Sequence, residues 1–116
     1  MNILFVCTSN RDRSPSLERY FRSIYPTNEY RSAGVNKWFT TKKNTHYITV
    51  DDIQWSDLIV CAEDVHHTCL TRDFKDLMVN KRVECLNLGE YEHGDVGQIY
   101  LDKAVKKLVE SDCFLT

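Results

Sequence analysis

The stretch Ile3-Leu4-Phe5-Val6-Cys7-Thr8-Ser9-Asn10-Arg11-Asp12-Arg13-Ser14-Pro15 decides how the chain is read. Residues 3–6 are a continuous apolar run, the pattern of a strand covered on both faces rather than one. Polar residues follow at once. Ser14 then offers a helix N-cap with Pro15 at the first helical position, where its fixed φ fits and its missing N–H costs nothing. Leu17, Tyr20, Phe21 and Ile24 fall at i, i+3, i+4 and i+7, one apolar stripe, and Pro26 stops the helix. The chain therefore opens strand, loop, helix.

The same alternation continues outward. Residues 30–33, before Gly34, read as a second short strand, and the polar stretch 35–46, with its isolated Trp38 and Phe39, as a loop. Thr49 or Asp51 caps a short helical segment through Ile53 and Trp55. Residues 57–62 are another buried-strand run, 63–74 a helix with partial apolar spacing, and 82–86 a fourth strand beyond a linker rich in Lys and Asp. Residues 89–97 are polar, and Leu101, Ala104, Val105, Leu108 and Val109 hold the period of a closing helix. Strands alternating with helices predict a parallel sheet with helices on both faces. The expectation is an α/β fold: one three-layer domain spanning residues 1–116, with a four-stranded parallel sheet.

Composition narrows the function. Fifteen Lys and Arg against 17 Asp and Glu leave a net charge of -2, so there is no global positive field for nucleic acid or an anionic membrane. Any anion must be caught locally. Five cysteines, with no C-x-x-C pair, and an N-terminus without a basic and apolar leader point to a reducing cytoplasm and away from a disulfide scaffold. The apolar runs fall far short of the ~20 residues of a membrane span.

Local capture is what the first loop offers. In a parallel α/β sheet, ligands bind beyond the carboxyl ends of the strands. Cys7 stands there, with Arg13 six residues on at the start of the first helix. Wrapping Thr8, Ser9, Asn10, Arg11 and Asp12 around one centre aims backbone N–H groups at it, and the helix macrodipole adds positive potential. The Arg13 fork binds two oxygens of a tetrahedral dianion. The same field favours the Cys7 thiolate, a nucleophile in line with a bound phosphoryl group.

Val6-Cys7, Asn10 and Arg13-Ser14-Pro15 resemble the signature loop of the low-molecular-weight protein tyrosine phosphatases, in size a compact bacterial or phage-type member. Ser32-Ala33-Gly34 is similar to the segment after that family's second strand, and Asp57-Leu58-Ile59-Val60-Cys61 to its third strand. The resemblance implies a cysteine-dependent phosphomonoesterase, a hydrolase of protein tyrosine phosphate acting through a cysteinyl-phosphate, without cofactor or metal. Its partners would be a phosphotyrosine protein or other aryl phosphate, with inorganic phosphate or a similar oxyanion in the loop. By the same resemblance Cys7 is the nucleophile and Arg13 the phosphoryl clamp. Ser14 donates to the thiolate, and Asn10 supports the loop with Ser32 and His46. Trp38 is an aromatic wall of the substrate pocket and Asp95 the general acid, with Glu90 and Glu92 as alternatives.

The chain departs from the family pattern at Ser9, where a glycine is usual, at Asp12, where a second cysteine is common, and at Val96, where proline follows the acid. Asp12 is expected to face outward against Arg11 or Arg31, since an inward carboxylate would repel phosphate. Two other readings stand beside the phosphatase. One is an arsenate reductase of the same fold, for which Cys61 and Cys69 would be relay thiols, although both, like Cys85, suit buried structural positions. The other is a non-catalytic phosphate- or phosphoprotein-binding domain. His66 and His67 with Cys69 make no ligand set, because adjacent helical residues face different ways.

Overall fold

Strand β1 (Asn2–Cys7) runs through the interior of a four-stranded sheet, and every residue from Ile3 to Cys7 is buried. This computed structural model describes residues 1–89 and 96–111. After β1 come α1 (Arg13–Ile24), β2 (Glu29–Gly34), α2 (Lys37–Lys43), α3 (Val50–Trp55) and β3 (Leu58–Cys61). Then follow α4 (Asp64–Asp73), α5 (Lys75–Met78), β4 (Arg82–Cys85) and α6 (Gln98–Glu110). All pairings are parallel, in the order β2-β1-β3-β4, so the expected four-stranded parallel sheet is present.

The two-residue period of the strands divides the core. Ile3 and Phe5 of β1 with Leu58 and Val60 of β3 face α1 and α6, packing on Leu17, Phe21, Tyr100, Ala104 and Leu108. Leu4, Val6, Ile59 and Cys61 face the other way, onto Ile48, Ile53, Leu70 and Met78. Phe5 and Phe21 are fully buried with ring centroids 5.1 Å apart. Truncating either to alanine would cost about 3–5 kcal/mol.

Three local expectations change. Helix α1 begins at Arg13 rather than after Ser14, and Asp12 takes the N-cap place without a side-chain cap. The Ser14 hydroxyl is thereby free for the site below. Residues expected as loop contain α2, because Asn36 Oδ1 accepts the Phe39 N–H at 2.9 Å and Asn44, at φ +54°, closes the C-terminus in the left-handed region. The linker before β4 holds the single turn α5. Thr49 caps α3 as expected, in a reciprocal box with Asp52.

The strand order fixes where a ligand can sit. From β1 the chain turns through α1 to β2 on one side, while β3 continues through α4 to β4 on the other, with α1 and α4 on opposite faces. The loops after β1 and β3 therefore diverge at a crevice, the switch point of the sheet. Cys7 ends one of those strands. Glu63 and His66 follow the other.

Candidate active site

The loop after β1 is tied down by its carbonyls. Val35 N–H donates to Cys7 O and Asn36 N–H to Thr8 O, each at 3.0 Å, and the Thr45 hydroxyl donates to Ser9 O. A peptide N–H points opposite its C=O, so the amides of Thr8, Ser9 and Asn10 turn away from that segment. Gly34, at the end of β2, makes this approach possible. A Cβ there would stand 2.7 Å from Thr40 Cγ2, 2.8 Å from Thr8 O and 2.9 Å from Asn10 N.

Asn10 sits at φ +54°, a left-handed conformation that asparagine tolerates better than most residues. Its amide donates to Ser14 Oγ and to Ser32 Oγ, both at 3.0 Å, and its Oδ1 accepts the backbone N–H of His46 at 3.2 Å. His46 thus joins through its backbone. Its half-exposed ring turns instead to Asp52, at 2.6 Å. Burial pushes the Asp52 carboxyl up, but hydrogen bonds from His46 and Thr49 outweigh it and leave the group below the usual carboxylate range.

Cys7 and Ser14 are both buried, with Sγ and Oγ 3.0 Å apart. Ser14 Oγ accepts from the Asn10 amide, and its own hydrogen has two acceptors in reach, Cys7 Sγ at 3.0 Å and Ala33 O at 3.4 Å. Arg13 is buried, and its Nη1 meets Glu63 Oε2 at 2.7 Å. Tyr100 of α6 brings its hydroxyl against the same guanidinium. Burial pushes that phenol up to about 12, with Arg13 opposing, so it stays neutral at ordinary pH.

These residues open onto a pocket of about 190 Å³ lined by Cys7, Thr8, Ser9, Asp12, Arg13, Phe39 and Lys43. Phe39, not Trp38, is the aromatic that lines it. Consecutive residues of α2 lie about 100° apart around the axis, and Trp38 is turned outward, 61% exposed, packing edge-on to Phe39 and under Lys42. Asp12 lies 3.9 Å from Arg11, one of its two expected partners, yet it also lines the pocket. Arg31 is taken by Asp51 and Asp52. Glu90, Glu92 and Asp95 lie outside the described residues.

The relay thiols of an arsenate reductase are not assembled. Cys61 faces the α3 and α4 side with Cys69 and Cys85, whereas Cys7 turns to Ser14 at the start of α1 on the other face. Glu63, His66, Tyr100, Phe39 and Lys43 are site residues that the sequence reading did not assign. Tyr100 alone had a signal, as a polar-tipped aromatic preceding the apolar stripe of the last helix.

No protein-family model and no curated protein sequence matches this chain. Solved structures do. It is similar to the low molecular weight protein tyrosine phosphatase of Bacillus subtilis, at 22% identity over 98% of this chain and 100% of that one, TM-score 0.67. The tyrosine phosphatase AmsI of Erwinia amylovora matches at 20% identity over 95% and 91%, TM-score 0.70. The chain has the low-molecular-weight protein tyrosine phosphatase fold. The YwlE arginine phosphatase of Geobacillus stearothermophilus shares it, at 20% identity over 97% and 95%, TM-score 0.66. Within this fold, the Cys7–Arg13 loop occupies the switch-point crevice that the strand order creates.

Proposed function

We propose that this protein is a phosphoric monoester hydrolase that uses Cys7 as nucleophile, with phosphotyrosine in proteins as the leading substrate. The observation that carries the reading is the Cys7 thiol held 3.0 Å from Ser14 in a pocket that also holds the buried Arg13 guanidinium. The Cys7 thiolate attacks phosphorus, an S–P bond forms and the ester O–P bond breaks. Arg13 and the loop amides bind the equatorial oxygens as charge develops there. Asp95, assigned on sequence position alone, gives its proton to the departing phenolate. Water then attacks phosphorus, Asp95 takes its proton, the S–P bond breaks and inorganic phosphate leaves. Free thiols at Cys7, Cys61, Cys69 and Cys85 suit a reducing compartment, for which the cytoplasm is our assignment. No helix among the described residues is long and apolar enough to cross a membrane.

A second reading, phosphoarginine as substrate, draws on one feature of this site. Asp12 lines the pocket, and its carboxylate, 3.9 Å from Arg11, is an acidic partner for the guanidinium of such a substrate. Hydrolysis of matched phosphotyrosine and phosphoarginine peptides tests both readings, with Cys7→Ser and Arg13→Lys as controls. Turnover of the phosphotyrosine peptide that is lost in Cys7→Ser supports the first reading. Preference for phosphoarginine, abolished in Asp12→Asn, would replace it with the second.

A further inference from the structure

The N-cap and first turn of α4 touch the Cys7–Arg13 loop at two points that the reaction above leaves without a role. Glu63 holds Arg13, and His66 Nε2 lies 3.0 Å from Thr8 Oγ1. His66 is 1% exposed, and a single contact settles its proton. The backbone N–H of Glu63 meets His66 Nδ1 at 3.0 Å. A backbone N–H can only donate, so Nδ1 is the bare acceptor nitrogen and the ring's one hydrogen sits on Nε2. Nε2–H therefore donates to Thr8 Oγ1. The Thr8 oxygen, having accepted, turns its own hydrogen elsewhere.

Thr8 lines the pocket that holds Cys7 and Arg13, and Thr8 and His66 both line a second cavity of about 350 Å³. Thr8 is thus the residue common to both, and His66 reaches the first pocket only through it. We propose that His66 is a positioning residue for phosphoryl binding: its Nε2–H holds Thr8 so that the Thr8 hydroxyl donates to an oxygen of the bound phosphoryl group. This rests on the phosphatase reading and adds a side-chain donor to the backbone amides. Burial, with Arg13 nearby, keeps the ring neutral by lowering its pKa to about 4, so the arrangement persists at neutral pH. A protonated Nδ1 would face the Glu63 N–H donor to donor.

The test combines imidazole ¹⁵N–¹H correlation spectra with inorganic phosphate titrations of wild type, Thr8→Val, His66→Gln and the double variant. The expected spectrum is the neutral Nε2–H tautomer at neutral pH, with and without phosphate. The expected titrations show each single variant binding phosphate roughly tenfold more weakly, as for loss of one charge-assisted hydrogen bond, and the double variant no weaker than either. A purely structural His66 would lower melting temperature and leave phosphate affinity intact in the folded fraction. An Nδ1–H tautomer, unchanged binding in Thr8→Val, or additive losses overturns the role of His66. Absence of phosphate binding by wild type overturns the phosphatase reading itself, and the role with it.

Discussion

Ser14 Oγ lies 3.0 Å from Cys7 Sγ while accepting a hydrogen bond from Asn10, which sets a hydroxyl donor beside the proposed nucleophile. Ser14→Ala removes that donor and one of the two acceptors of the Asn10 amide, leaving Ser32. A hydrogen bond to a charged group is worth about 1.5–3 kcal/mol, so kcat/KM on an aryl phosphate should fall about 10- to 100-fold. Alkylation of Cys7 by iodoacetate near neutral pH should slow in parallel. Unchanged rates in both assays would separate Ser14 from the thiol.

Gly34 should tolerate no side chain. A Cβ at that place would meet two backbone atoms of the Cys7–Arg13 loop, Thr8 O and Asn10 N, within 2.9 Å. Backbone cannot rotate aside as a side chain can, so the loop must shift. Gly34→Ala should cost about 1–3 kcal/mol of stability by overpacking and weaken phosphate binding, measured by denaturant unfolding and titration calorimetry. Full phosphate affinity in the variant would mean that the loop is not braced from behind.

Aryl preference should follow Phe39 rather than Trp38. Phe39→Ala should lose most of the advantage of aryl over alkyl phosphates, roughly the 0.5–1.5 kcal/mol of an aromatic contact. Trp38→Ala should change little. A competition assay with both substrate types decides it, and the reverse ranking would restore Trp38 as the wall.

Acid should destabilise the protein through His66. Its folded pKa of about 4 lies below the unfolded value of about 6.5, so the unfolded chain binds the extra proton between those values. This contribution is fully present above about pH 6.5 and is lost as pH falls toward 4, by roughly 3 kcal/mol. Asp52, whose carboxyl is held low, adds a further loss at still lower pH as it protonates. Urea unfolding across that range should show this slope in wild type and a shallower one in His66→Gln. Equal slopes would assign the acid sensitivity elsewhere.

The two interior strands were legible because an interior parallel strand must be apolar on both faces, as residues 3–6 and 58–61 are. The loop chemistry was legible because thiol, guanidinium and helix start lie within eight residues, a local pattern needing no tertiary knowledge. Helix α2 escaped because its apolar residues, Trp38 and Phe39, are adjacent rather than three or four apart, and its stability rests on the caps at Asn36 and Asn44. Glu63, His66 and Tyr100 escaped for another reason. They reach Arg13 and Thr8 only once β3 and α6 have been placed beside β1, and nothing in the spacing between these residues encodes that meeting.

The central claim is that Cys7 carries the phosphoryl group. Wild-type protein mixed with excess aryl phosphate and quenched in acid within milliseconds, then digested and weighed by mass spectrometry, reads this directly. The peptide containing Cys7 should gain the mass of one phosphoryl group, in a population that appears with the burst of phenol and vanishes when substrate is exhausted. Phenol release with no such adduct on Cys7, or an adduct that persists in Cys7→Ala, would contradict the account.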